Sequence, residues 1–428
     1  MRTTPGEGYG APASGGGPTL AGTALMLVHT GQAPTRSALT NRLGVTRGTI
    51  GTITGELRDL GLIVVDAGQA EGQGQPGGQG QPGGQGQPGG QGRPSHRLLP
   101  DPRGPVALAA QVHPDGYEVA LVGLGGIVAR LGRDTPVPAD PGRALAPVAE
   151  AAAALLRDSG RRCVGAAIAV PAAVSLPGGS AVRALYIGWP TGAPVRAIFA
   201  AQLAAHGVTG PDGGLLRCDA VNDVNAVALA EHRQGAGRDA SHLLVVSAEH
   251  RGVGGALVLG GSLYTGSTGL ALEAGHVSVD RDGRPCVCGN RGCLSVEADA
   301  ERFLDLAGRA PDAAEPLLYQ AVALLRAAYP DDDRVRAAAE AVIDRLGLGL
   351  AGLINVVNPD RILLGGLHGQ LLAAAPGRLR AAVAAGSPWG SGASIPVEPC
   401  VLEHAGLMGA GEVAWQPVLD NPALLRER

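Results

Sequence analysis

Between Thr35 and Val65 the apolar residues fall at helical intervals twice in succession. Ala38, Leu39 and Leu43 form one inward stripe; Ile50, Ile53, Leu57 and Leu60 form a second, on one face of a longer helix. Thr35 and Thr46 stand where a side-chain oxygen closes a helix's first turn. Gly44 stands where the first helix must end in the left-handed conformation. Gly61 stops the second helix, and Leu62–Val65 reads as a short strand. Two short helices joined by a tight glycine turn, then a strand and a loop, predict a winged helix-turn-helix that reads DNA. Its outward face carries Arg47, Thr49 and Thr52, with Arg36 and Arg42 placed to meet phosphates. Gly48 and Gly51 each cost that helix about 1 kcal/mol relative to alanine and offer no side-chain hydrogen bond to a base. Base reading therefore rests on Arg47, Thr49 and Thr52. The alternative is a helical module that contacts only protein.

Past residue 104 the pattern changes to short, nearly continuous apolar runs alternating with Ala/Leu-rich stretches. Strands are expected at Val164–Val170, His242–Ser247, Ala256–Leu259 and Arg361–Leu364, and helices at Ala144–Arg157, Ala226–Arg233, Leu317–Ala328 and Arg334–Val357. Apolar strands interleaved with helices give an α/β class with largely buried sheets. Residues 73–90, three copies of QGQPGG, separate the two patterns. That tract has nothing apolar to bury and so cannot offset its ordering entropy. The chain divides accordingly into a disordered lead-in (1–18), a winged helix-turn-helix (19–67), a Gly/Gln/Pro-rich wing and linker (68–103) and a large effector domain (104–428). Arg93, within Gly92-Arg93-Pro94, either enters a narrow minor groove or marks an ordinary linker turn.

Composition adjusts this picture in three places. A formal charge of −4 confines any DNA site to a local patch. No apolar run approaches the ~20 residues that span a bilayer, and the first residues lack the build of a signal peptide, so no membrane partner is expected. Of six cysteines, Cys286, Cys288 and Cys293 cluster. That spacing points to a metal site in a reducing compartment, and so to the cytoplasm, rather than to a disulfide framework.

The run EAGHVSVDRDGRPCVCGNRGC, residues 273–293, holds the sharpest chemical signal. Three thiolates and the imidazole of His276 suit a closed, tetrahedral structural Zn2+ site, which leaves no open position for catalysis. Gly289 and Gly292 let the chain wrap tightly around an ion. A redox-active or free cysteine trio is the competing reading. This run resembles the signature of the repressor/ORF/kinase (ROK) family, approximately E-x-G-H followed by G-x-x-C-x-C-G-x-x-G-C-x-E. VNDVNAVALAEH (221–232) resembles the family's N-D-x-N-x-x-A-x-x-E segment, and LGLGLAGLINVVNPDRILLGG (346–366) its late helix–strand segment. The helix-turn-helix followed by Gly-Arg-Pro resembles the family's repressor branch.

The resemblance implies a two-lobed, actin-like sugar-kinase fold with a sugar in the cleft, held by Asn222, Asp223, Glu273 and His276. It also implies a homodimer or homotetramer, with double-stranded operator DNA and a sugar or sugar derivative as partners. Asp223 stands at the family's catalytic-base position. Where kinases carry D-x-G-G-T, however, this chain has Gln111-Val112-His113-Pro114-Asp115, and G-T-G-x-G is replaced by His250-Arg251-Gly252-Val253-Gly254. Pro114 removes a backbone donor and Asp115 places negative charge where phosphate lies. The expectation is a transcriptional regulator with no catalytic residue in use. The alternative is an ATP-dependent sugar kinase with a DNA-binding appendage. The sugar side departs too: Ser295 replaces the family's Glu, with Glu297 two residues on, and Leu185-Tyr186 replaces Pro-Asn.

Overall fold

The computed structural model describes residues 17–66, 96–210, 213–387 and 395–426. Arg93, the QGQPGG repeats and nearly all of the lead-in lie outside them. Three helices, α1 (Leu20–His29), α2 (Arg36–Leu43) and α3 (Arg47–Asp59), and the antiparallel strands β1 (Ile63–Asp66) and β2 (Arg97–Pro100) build the amino-terminal unit. Its caps follow the sequence: Thr35 accepts from the Ala38 amide at 3.1 Å and Thr46 from the Thr49 amide at 3.2 Å. Gly44 closes α2 at φ 65°. Leu39, Ile50, Ile53 and Leu57 are buried; Leu60 is the half-buried cap of α3. The residues between β1 and β2 include the repeats, so the tract joins two paired strands.

The helix α1 precedes the first one expected. Its sequence, LAGTALMLVH, is apolar almost throughout and shows no one-sided stripe, because α1 packs between α2 and α3 on one side and the last long helix of the chain on the other.

The first lobe follows with β3 (Val106–His113), β4 (Gly116–Gly123), β5 (Gly126–Arg133), α4 (Pro141–Ser159), β6 (Cys163–Val170), the small hairpin β7 (Ala173–Ser175) and β8 (Ser180–Arg183), α5 (Val195–Ala205) and β9 (Cys218–Asn222). Its five-stranded sheet runs β5-β4-β3-β6-β9, with β3, β6 and β9 parallel. The helix α6 (Asp223–Gln234) leads into the second lobe: β10 (His242–Ala248), β11 (Gly254–Leu259), β12 (Ser262–Leu263), α7 (Leu294–Glu297), α8 (Ala300–Leu306), α9 (Leu317–Ala328), α10 (Asp333–Val357), β13 (Arg361–Gly366), α11 (Leu367–Ala374), α12 (Pro376–Gly386) and β14 (Val397–Pro399). That sheet runs β12-β11-β10-β13-β14. The chain returns to the first lobe through α13 (Ala405–Asp420), which packs on β3, β4, β6 and α6.

Two consequences matter for function. The helix α6 touches both sheets, so the cleft between the lobes opens at its amino terminus. One apolar cluster runs without a break from Leu25, Ile50 and Leu57 through Val122 and Val227 to Leu407 and Trp415. The amino-terminal unit thus shares its core with the lobes.

Candidate functional site

The strand β9 ends at Asn222 and α6 begins at Asp223, so the strand-to-helix turn delivers two polar side chains to the inter-lobe cleft. Asn222 caps α6: its Oδ1 accepts from the amides of Val224 (3.0 Å) and Asn225 (3.1 Å). Its Nδ2 donates to the Ala172 carbonyl (3.2 Å) and to Asp223 Oδ1 (3.0 Å). With two donor hydrogens and two lone pairs, an amide so engaged is saturated. Asn222 therefore fixes Asp223, whose Oδ2 has no protein partner among the described residues. Loss of solvation, followed by the charge of Glu249, pushes the Asp223 carboxyl up to about 7, and His250 opposes the shift.

The expected residues Asn222, Asp223, Glu273 and His276 all line this one cleft, together with Ser295, Tyr186 and Pro171-Ala172. Ser295 occupies the wall while holding the Val253 amide (3.1 Å), whereas Glu297 turns away to accept from the Arg284 amide (2.7 Å). The Tyr186 hydroxyl is buried and unpaired, and burial pushes it up to about 12. Two lining residues escaped the sequence reading: Arg183, at the end of β8, and Glu249, just past β10. Neither belongs to a spaced motif; only the positions of the strand ends place them there.

At the cleft's other wall Pro114 and His250 line the cleft, and the β3–β4 hairpin brings His113 and Asp115 against His250. The imidazoles of His113 and His250 stack with centroids 4.3 Å apart and planes 5° from parallel. Asp115 lies 3.5 Å from His250 Nδ1. Gln111 does not reach the cleft lining; it is buried against Gly406 at the start of α13.

Below the cleft, His276, Cys286, Cys288 and Cys293 converge, their ligand atoms within 4.8 Å of one another, in a cluster that could hold a metal ion. Cys286 Sγ is 3.6 Å from His276 Nδ1, and Cys288 and Cys293 approach to 3.7 Å without a disulfide. Burial, then Arg183, holds the His276 imidazole below its ordinary value and so in the neutral form a metal requires. Gly289 and Gly292 adopt φ 98° and 59°, and a Cβ on Gly292 would meet the Asp280 carbonyl at 1.6 Å. The tight wrapping expected of these two glycines is thus present.

On the amino-terminal unit, Arg42, Arg47 and Thr52 are exposed, whereas Arg36 and Thr49 are half-buried. The Thr49 hydroxyl pairs with that of Thr46 at 2.9 Å. This face is linked to the cleft through a buried cluster. Glu412 of α13 accepts from His29 Nε2 of α1 (2.9 Å), from Arg233 Nη1 of α6 (2.8 Å) and from Gln234 of α6. Burial alone would raise Glu412, but His29 and Arg233 hold its carboxyl down at about 2. No helix among the described residues is long and apolar enough to cross a membrane.

Comparison with known proteins places these features in a family. The model of the ROK family matches residues 127–416. Curated relatives include a putative xylose repressor of Caldicellulosiruptor sp. (36% identical; 34% of this chain, 38% of the relative) and the glucokinase of Thermotoga maritima (36%; 34% and 49%). The transcriptional dual regulator NagC of Escherichia coli is 33% identical over 35% of this chain and 38% of its own. The alignments thus span less than half the length of these relatives. Among solved structures, a ROK transcriptional regulator described as a homolog of the E. coli MLC protein aligns over 95% of this chain and 97% of its own, with a TM-score of 0.70 at 21% identity. A Streptomyces griseus ROK glucokinase aligns over 73% of this chain and 99% of its own (TM-score 0.59, 21% identity).

Proposed function

Because this chain belongs to the ROK family, we propose that it is a DNA-binding transcriptional regulator, acting as a homodimer, whose cleft takes a sugar or sugar derivative. The observation that carries this reading is continuity. The helix α6 begins with the cleft residue Asp223 and ends with Arg233 and Gln234 on Glu412, which also grips His29 of the amino-terminal unit. A hydroxylated ligand needs convergent acceptors and paired donor–acceptor groups. Asp223 Oδ2, Glu273 and the ring of His276 supply them, with Asn222 holding Asp223 in place. The winged helix-turn-helix meets DNA through Arg36 and Arg42 on phosphates and through Arg47, Thr49 and Thr52 at the bases. Ligand control requires that the sugar bind the closed and open lobes with different affinity.

The Cys/His cluster fits a structural zinc. Tetrahedral bonds of ~2.3 Å to sulfur and ~2.0–2.1 Å to nitrogen require edges of ~3.8 Å and ~3.6 Å, against 3.7 and 3.6 Å here. His276, Cys286, Cys288 and Cys293 would hold the ion, which supplies cross-linking and no chemistry. It fixes the turn that carries Glu273.

A kinase is the second reading, favoured by Asp223, whose raised carboxyl near 7 suits a general base at neutral pH. Against it, the imidazole pair and Asp115 stand in the two loops where the family's kinases handle phosphate. One experiment separates the readings: fluorescence anisotropy of DNA from the protein's own promoter, with and without a hexose panel, alongside ATP, magnesium and the same sugars in a phosphorylation assay. A sugar-dependent shift in DNA affinity without turnover supports the regulator; turnover of any hexose supports the kinase.

A further inference from the structure

The two segments that depart most from the kinase pattern lie 135 residues apart in sequence, by the numbering of Asp115 and His250, yet meet in space. His113 and Asp115 come from the β3–β4 hairpin of the first lobe, and His250 from the loop between β10 and β11 of the second. Each offers one ligand atom, and the three atoms lie within 4.8 Å of one another. His250 Nδ1 and the Asp115 carboxylate are 3.5 Å apart, close to the ~3.3 Å edge of a tetrahedron whose ligands stand ~2.0–2.1 Å from an ion. A second, independent observation points the same way: His113 Nδ1 is buried with no hydrogen-bond partner, an expensive state for a polar atom unless something is to be bound.

We propose that His113, Asp115 and His250 form a second metal site, distinct from the cysteine cluster, which takes a zinc-like divalent ion and fastens the two lobes across the cleft. Two imidazoles and one carboxylate are a donor set for zinc, cobalt or nickel; magnesium and calcium demand mostly oxygen. Three protein ligands leave a fourth position open, where water or a ligand oxygen completes the shell. The parallel ring stack is the metal-free arrangement, since stacked rings aim their in-plane lone pairs side by side. Binding an ion therefore requires one ring to turn out of the stack. Because the ligands come from two lobes, the ion binds only when those lobes are near, and it holds them so.

The test uses the full-length protein with no sugar present, so its outcome is independent of what the cleft binds. Zinc titration against a chromophoric chelator is expected to show a second equivalent per chain beyond the tightly held one. The paired change His113→Ala/His250→Ala is expected to lose that second equivalent and keep the first. Cobalt distinguishes the sites optically: the cysteine cluster gives thiolate-to-metal charge transfer, and the second equivalent adds only weak visible d–d bands. Should the alanine pair fold poorly, as judged by loss of the thiolate band, Asp115→Asn serves in its place and is expected to weaken the second equivalent alone. Absence of a second equivalent in the unaltered protein, or a second equivalent equally tight in every folded variant, overturns the proposal.

Discussion

Asp223 shows at the scale of one residue how function and stability oppose each other. Its carboxyl is raised to about 7 by lost solvation and by Glu249. A carboxyl whose folded value exceeds its unfolded value contributes stability below the unfolded value, ~3.9, and loses it as pH rises through ~7. Asp223→Asn has no charge to lose, so the variant is expected to melt higher than the parent at pH 8 and nearly level with it at pH 4. The gain at pH 8 is about 1–2 kcal/mol once solvent access to the open cleft is discounted. The same variant should lose any sugar-dependent response. Equal melting differences at both pH values would show that the carboxyl is not strained by burial. Cys288→Ser tests the neighbouring cluster and is expected to lower bound zinc below one ion per chain and to lower the melting temperature. Full metal content in that variant would exclude Cys288 as a ligand. Asn222, Asp223, Glu273, His276 and the three cysteines could be picked out from sequence because each sits in a short, rigidly spaced segment. Arg183, Glu249 and the His113–Asp115–His250 group could not, because strand ends from separate lobes bring them together.

Among the elements, α2, α3, α4, α6, α9 and α10 were readable because each has a wet face and a dry one, or a clear cap. The strands β6, β10, β11 and β13 were readable as apolar runs. The helices α1 and α13 left no stripe, since the first is wedged between helices and the second is buried over most of its length. Their contact is close: a Cβ on Gly22 would lie 2.2 Å from the Asp420 carbonyl. Alanine favours an isolated helix over glycine by about 1 kcal/mol, but the clash is with backbone, which gives way poorly. Gly22→Ala is therefore expected to destabilise the seat of α1 by about 1–3 kcal/mol. Hydrogen exchange checks this, with faster exchange expected in α1–α3 and little change in the second lobe. Unchanged exchange in α1 would show that the helix docks loosely.

Across the whole molecule, a buried carboxylate joins the helix of the cleft to the amino-terminal unit. Glu412 sits between His29 and Arg233 with both side chains almost fully enclosed. Its folded value of about 2 lies below the ordinary 4.5, so its contribution is present above pH ~4.5 and is lost as pH falls toward ~2. Glu412→Gln removes the charge but leaves Arg233 buried, a change that costs about 3–5 kcal/mol when one partner of a buried pair is deleted. The variant should melt lower at pH 7, approach the parent below pH 3, and bind promoter DNA with less difference between sugar-free and sugar-loaded forms. The last comparison separates a relay from a mere prop, because a prop would weaken both forms alike. DNA binding itself supplies the final check on assembly. With a net charge of −4 the chain has no general attraction to DNA, so on the proposed reading the phosphate contacts come from Arg36 and Arg42 of each amino-terminal unit. Each phosphate neutralised contributes about −0.9 to the slope of log affinity against log salt. Two contacts on each of two units give a slope of about −4, and a single unit about −2. A slope near zero would remove DNA from the account. A slope near about −2 would mean that one unit binds alone, against the homodimer.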